Sequence, residues 1–450
     1  MGLTKIKKGL NIPLAGEPKQ IVHEAKFVKT VALIGFDYNG LKPAMKVEEG
    51  DKVKLGQVLF TDKKHPEIFF TSPVAGIVKS INRGEKRVFQ SIIIEAGGND
   101  EVTFDIIAEN KLNDIPREEV LNRLLHSGLW TSMKERPFGK VPDPKRLPHS
   151  IFITAIDTNP LAPDMQKVIE GNEKDILNGA LLLSKLTEGK VYICKSPETK
   201  IPEPENKNIL IENFEGPHPA GNAGTHIHFL DPVNRNKYVW HLNVQDAAAI
   251  GKLFTTGRIW TDRIISLAGP KVNNPRLIKT KIGASIDEIV EGELKEGENR
   301  IISGSVLSGR KSENPSNFLG RFHQQISVIE EGRTREFLGW LSPGTNLYSA
   351  KNIVISSFLG KNKKFTLSSS QNGGERAIVP NGSYEKVMPL DIIITYLLRS
   401  LAVNDIEEAE KLGILELDDE DLSLCTFVCP SKIDHSSNLR RNLNLIEKEG

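Results

Sequence analysis

Residues 45–65 read Met-Lys-Val-Glu-Glu-Gly-Asp-Lys-Val-Lys-Leu-Gly-Gln-Val-Leu-Phe-Thr-Asp-Lys-Lys-His, and residues 72–78 continue Ser-Pro-Val-Ala-Gly-Ile-Val. Short apolar runs are cut by Gly50, Gly56, Pro73 and Gly76, the punctuation of a compact all-β module with tight turns. Working outward from it, the period changes. Pro116 opens a helix whose Val120, Leu121, Leu124 and Leu125 recur at helical spacing until Gly128. Strands are expected at 150–156 and 191–194, with a helix over 176–186 between them, and this alternation predicts an α/β layer. A further helix starts at the N-cap Asn243, carries Ala247, Ile250, Leu253 and Phe254 on one face, and stops at Gly257. Segments 264–267, 276–282, a short helix from Ser285, and 300–303 make a small β-β-α-β unit. Strand-like runs follow at 325–329 and 352–358. Pro389 is expected to open an apolar helix over 390–401, and Leu439, Leu443 and Ile446 recur at near-helical spacing near the C-terminus.

The expected fold is therefore multidomain α+β. An N-terminal barrel-sandwich module spans 1–110, a Rossmann-like α/β domain without a phosphate loop 111–257, and a β-grasp unit 258–312. A β-rich segment, 313–385, leads to a C-terminal helical domain, 386–450. The 59 Lys and Arg nearly cancel the 58 Asp and Glu, so the chain has no field to draw it onto nucleic acid or an anionic bilayer. The apolar run 390–403 contains Asp391 and Arg399 and falls short of the roughly 20 residues that cross a membrane; membrane association is expected through partners only. Lys5, Lys7 and Lys8 precede a short, proline-interrupted apolar stretch unlike a secretory signal, and the three cysteines cannot form a disulfide framework. Residence in the cytosol is the expectation.

Four motifs bear on chemistry. The stretch 47–78 resembles the lipoyl and biotinyl carrier fold, and Thr61-Asp62-Lys63 matches the approach to the modified lysine. Lys64, His65 and Pro66 then replace the small residues expected after that lysine, and no His-x-x-x-Asp-Gly acyltransferase motif exists in the chain. The module is accordingly read as a carrier fold reused without its cofactor. After the strand at 150–156 comes Asp-Thr-Asn-Pro-Leu-Ala-Pro-Asp (157–164), with no glycine for the close approach of a pyrophosphate. Cys425 and Cys429, with Cys194 far away, are too few and too far apart for a cubane cluster, so packed thiols are expected.

Gly-Pro-His-Pro-Ala-Gly-Asn-Ala-Gly-Thr-His-Ile-His (216–228) is the most unusual string. Gly216, Gly221 and Gly224 would let backbone amides approach an anion or a flavin edge. His226 and His228 would share one face of a strand, with His218 and His241 as further ligands only through folding. The plainer alternative is a glycine-rich loop whose histidines hydrogen-bond to carbonyls. Gly216, His218, Gly221, Gly224, His226 and His228 are the candidate quinone or ligand contacts; no catalytic residue and no metal site is expected.

Residues 5–18, 216–221, 225–232, 337–344, 382–391 and 424–430 together resemble the signature stretches of the A-subunit family of sodium-translocating NADH:quinone oxidoreductases. The C subunit of the Rnf complex is similar in layout but carries iron–sulfur motifs that this chain lacks, and the flavin-binding subunit of respiratory complex I is a more distant likeness. The resemblance implies a polypeptide peripheral on the cytoplasmic face of the bacterial inner membrane, one of six in its complex and docked chiefly on the membrane-embedded B subunit. It implies no permanently bound cofactor in this chain, FMN, riboflavin, FAD and iron–sulfur centres in the partners, and ubiquinone as substrate of the complex. On this reading 264–303 is a soluble-ligand-binding β-grasp module, and the C-terminal segment with Arg440 and Arg441 packs on the partner near the quinone entrance. The alternatives are an Rnf-type electron-transfer component, and a lipoyl or biotinyl carrier modified on Lys63.

Overall fold

The computed structural model describes residues 2–333, 341, 343–351, 353–358 and 363–449. Its first module packs a four-stranded sheet (Thr30–Ile34, Phe89–Ala96, Gly76–Arg83, Lys52–Val53) against a three-stranded one (Pro43–Met45, Val58–Asp62, Phe69–Thr71). Phe60 and Phe70 stack at 4.6 Å between ring centroids, with Tyr38 edge-on to Phe70 at 4.9 Å. This aromatic centre continues without a break into the core of the α/β domain.

The α/β sheet runs in the order Leu3–Lys5, Ile209–Glu215, Lys190–Lys195, Ser150–Ala155, Val239–Asn243 and Lys134–Arg136. All neighbours are parallel except the last pair. The strand sequence reverses beside Ser150–Ala155, the doubly wound arrangement whose switch point usually opens a ligand crevice. Here the loop leaving that strand is tied to the chain itself. Thr158 Oγ1 accepts from the Gly221 amide at 2.9 Å, and the Pro160 carbonyl accepts from Gln325 Nε2 at 2.9 Å. The flanking helices end where expected. Asn243 caps Val244–Thr256 through its side chain and Gly257 closes it in the left-handed region, as Gly128 closes Arg117–Ser127.

The third sheet has the order Arg310–Lys311, Asn299–Ser303, Gln325–Glu330, Asp262–Ala268, Arg276–Lys281 and Lys19–Glu24. It carries the helix Ile286–Val290, capped by the Ser285 hydroxyl. Strands pair across two of the expected boundaries. Residues 3–5 and 19–24, assigned to the first module, supply edge strands to the second and third sheets. Gln325–Glu330, assigned to a separate segment, lies inside the β-grasp sheet. The pairings of 3–5 and 19–24 join residues more than two hundred positions apart, which no local pattern reveals. Among the described part of 352–358 the structure has a 3₁₀ turn, Ile355–Phe358, and not a strand; Asn352, like most of the 337–344 stretch, lies outside the described residues.

Among the described residues five α-helices form the last domain: Ser383–Val387, Ile394–Val403, Ile406–Lys411, Ser423–Val428 and His435–Glu449. The second begins five residues after Pro389, not next to it, and in the intervening turn the Asp391 amide donates to His228 Nε2 at 3.0 Å. Leu397, Leu398, Leu401, Leu439, Leu443 and Ile446 fill the domain's core, which also takes in Ile12, Leu14 and Leu161 from elsewhere in the chain.

Candidate functional site

The string 216–228 lies at the junction of the α/β and helical domains, and it is built as a joint. The strand Ile209–Glu215 ends at Gly216, whose φ of 143° places it where a side chain would meet the Ile6 carbonyl at 2.2 Å. The Leu10 amide donates to the His218 carbonyl (2.8 Å) and the His218 amide to Asn11 Oδ1 (3.0 Å), so this turn also anchors the N-terminal segment. Residues Ala223–Leu230 are a helix, not the strand on which His226 and His228 would share a face. Two residues on a helix are about 200° apart, so the two rings part company.

Each histidine has an internal role. His218 is buried, with Nδ1 3.2 Å from Thr158 Oγ1. His226 is fully buried, Nε2 donating to the Ala220 carbonyl at 3.0 Å and the ring tilted on Phe214 at 4.3 Å. Burial pushes the pKa of both down to about 4, which keeps them neutral at pH 7. His228 accepts the Asp391 amide on Nε2 and donates from Nδ1 to Glu416 Oε2 at 2.6 Å. It therefore clamps two places in the helical domain. Two of the glycines lie close against protein: a Cβ on Gly224 would lie 2.3 Å from the Asp421 carboxylate, and one on Gly221 2.7 Å from the Thr158 nitrogen. An anion does approach this segment, but it is the chain's own. His241, the other candidate partner, lies on a separate strand and its pKa is held well below the usual value by burial and by Arg136.

Replacing His226 by alanine is expected to cost about 1–3 kcal/mol of stability, through the orphaned Ala220 carbonyl and lost ring packing. Quinone kinetics per assembled complex should stay unchanged. A raised KM for quinone in a fully assembled variant would show instead that the ring contacts ligand.

No motif announces the group that fastens the joint. Arg136, at the end of an edge strand, is completely buried and faces three carboxylates of the helical domain. Its Nη1 donates to Asp421 Oδ2 at 2.9 Å, and Nε lies 3.6 Å from Asp418. Its Nη2 lies 3.4 Å from Glu420, and Nη1 also reaches the Glu416 carbonyl at 3.3 Å. Arg440 closes the set, bonding to both Asp418 and Asp419 and donating to the Phe138 carbonyl at 2.7 Å. Burial opposes the charge on Asp418, but Arg136 and Arg440 outweigh it and hold the carboxyl far below its ordinary range. Arg440 is thus consumed internally, which corrects its expected place on a partner surface. Arg441 also bonds within the domain, to Asn404 Oδ1 at 2.6 Å.

Beside this network a cavity of about 1650 Å³ opens between the N-terminal segment, the β-grasp sheet and the helical domain. Among the described residues Leu10, Ile12, Ile302, Tyr348 and Phe427 give it apolar walls, with Arg440 and Asp419 at its polar side. None of the six candidate residues of 216–228 lines it. The three cysteines are free and buried, and the Cys429 thiol is hydrogen-bonded to the Tyr384 hydroxyl at 3.1 Å.

Comparison with known proteins decides the family. Residues 4–97 match the NqrA N-terminal barrel-sandwich hybrid domain, 115–259 the NqrA second alpha/beta domain, and 264–314 the NQRA C-terminal domain. The chain belongs to the NqrA family. Full-length relatives are the A subunits of the Na(+)-translocating NADH-quinone reductases of Histophilus somni strain 2336 (53% identical; 99% of each chain) and Hahella chejuensis (53%; 100% of each). That of Pasteurella multocida is 52% identical over 99% of each. An NAD+-reducing [NiFe]-hydrogenase covers 49% of the chain and 48% of its own, at 12% identity and a TM-score of 0.36; that likeness carries no weight. The expected barrel-sandwich, α/β and mixed α+β architecture is that of the family, and the carrier and Rnf readings give way to it.

Proposed function

We propose that the chain is the peripheral NqrA component of a sodium-pumping NADH:ubiquinone reductase, seated on the cytoplasmic face of the bacterial inner membrane and docked on the membrane-embedded B subunit. It shapes the approach to the site of quinone reduction and holds no redox centre of its own. FMN, riboflavin, FAD and iron–sulfur centres in the partner subunits carry electrons from NADH to ubiquinone while Na+ is exported. The full-length likeness to the A subunits of NADH-quinone reductases supports the assembly. Among the described residues no helix is long and apolar enough to cross a membrane.

One observation carries the docking role. The helix Ile394–Val403 buries one face in its own domain, yet Ile393, Tyr396 and Val403 are 63%, 62% and 74% exposed. They are spaced by three and seven residues, one stripe on a helix. The domain presenting that stripe is fixed to the α/β body by the buried Arg136 network, so the face is held in a set orientation. Deleting 431–450 would not test this, because it removes Leu439, Leu443 and Ile446 from the core. The double variant Ile393→Asp, Tyr396→Asp is the proper probe. Its isolated stability should change by less than about 0.5 kcal/mol per site, while co-purification with the membrane subunits is lost. NADH oxidation by artificial acceptors should survive in the remaining complex. Co-purification at wild-type stoichiometry would remove this face from the account.

A further inference from the structure

The turn that departs from the carrier pattern faces an acidic side chain of the α/β domain. His65 and Glu67 lie in the connection between Val58–Asp62 and Phe69–Thr71, where a carrier domain would present its modified lysine. Asp143 lies in the loop following Lys134–Arg136. One ligand atom from each of the three residues falls within 4.8 Å of the others, and His65 Nδ1 is 3.8 Å from Asp143 Oδ1. Glu67 Oε1 is buried without a hydrogen-bond partner. A carboxylate oxygen without a donor, beside a second carboxylate and an imidazole, is an arrangement that a cation satisfies.

We propose that His65, Glu67 and Asp143 bind a divalent transition-metal cation of the zinc class. Two carboxylates neutralise the ion, the imidazole supplies the nitrogen that distinguishes such a site from the all-oxygen cages of calcium and magnesium, and water completes the coordination. Zinc bonds of about 2.0–2.2 Å set ligand atoms roughly 3.4 Å apart, so the set contracts by about 1 Å on binding. That is within the reach of the half-buried side chains, because both backbones are already fixed. The Ile68 amide donates to the His65 carbonyl at 2.9 Å, and the Asp143 side chain accepts from the Lys145 amide at 3.0 Å. The neighbouring Pro142 carbonyl is held by the buried Trp130 indole at 2.9 Å. The ion would tie the hairpin tip of the first module to the α/β domain, beside the existing bond from Thr71 Oγ1 to the Ser127 carbonyl at 3.0 Å.

The test is calorimetric titration of the chelator-treated full chain with Zn2+, alongside His65→Ala, Glu67→Gln and Asp143→Asn. The last two are near-isosteric, so they report on ligation even where the alanine variant folds poorly. A single site is expected in the wild type, weakened more than tenfold in every folded variant, with a Zn2+-dependent rise in Tm that the variants lack. X-ray absorption of the loaded protein should show one nitrogen and two carboxylate ligands with water. No Zn2+ binding by the wild type, or affinity unchanged in Glu67→Gln and Asp143→Asn, would overturn the proposal.

Discussion

Arg136→Ala is expected to lower the unfolding free energy by about 3–5 kcal/mol, the cost of leaving buried carboxylates without their partner. The Arg136 side chain has 0% exposure, and Asp418 and Asp421 have 6% and 2%. Little water can therefore replace the guanidinium. The loss should be felt first where the α/β and helical domains meet, so the Ser383–Val387 to His435–Glu449 region should become the early target of limited proteolysis. Adding Asp421→Asn to the alanine variant should recover part of the loss, because the charge left behind is a large share of the penalty. A loss below about 1 kcal/mol in urea unfolding would mean that the joint is held by apolar packing alone.

Acid lability is the second large effect. Burial lowers the pKa of His218, His226, His323 and His435 from the usual 6.5 to about 4, and that of His241 well below 6.5. Between these values the unfolded chain binds a proton that the folded chain refuses. Stability is therefore fully present above about pH 6.5 and drains as the pH falls toward 4, by up to about 1.4 kcal/mol per pH unit for each ring. Five rings acting together approach about 7 kcal/mol per unit, enough to consume an ordinary domain stability within a few pH units. Asp418, whose folded pKa is depressed, adds a further loss that begins only near pH 4. His435 offers a clean test because neither ring nitrogen has a partner and the ring packs edge-on to Tyr384 at 5.4 Å. His435→Phe keeps that packing and should flatten the stability-versus-pH slope by about a fifth. An unchanged slope between pH 6.5 and 4 would contradict the assignment.

What is legible in the sequence follows from where the deciding contacts lie. Helix ends at Asn243, Gly257, Pro116, Gly128 and Ser285 are set by side chains within a few residues and can be read directly. The strands Leu3–Lys5 and Lys19–Glu24 cannot, since their partners sit near residues 213 and 277. The alternation of Thr225, His226, Ile227 and His228 imitates a strand, but the helix Ala223–Leu230 is buried on several sides, which erases the polar face that would reveal its period. The run Asp418 to Asp421 reads as a solvated acidic patch. Only the flanking Leu417 and Leu422, both completely buried, hint that it turns inward toward Arg136. The chemical character of 216–228 is legible as unusual; that its glycines and histidines serve a joint between domains requires the fold.

The visible absorption spectrum of the purified chain tests the central claim most directly. A scaffold that leaves electron transfer to its partners should show no band beyond the aromatic absorption of its tryptophans and tyrosines. A stoichiometric flavin or iron–sulfur spectrum travelling with the isolated chain would contradict it.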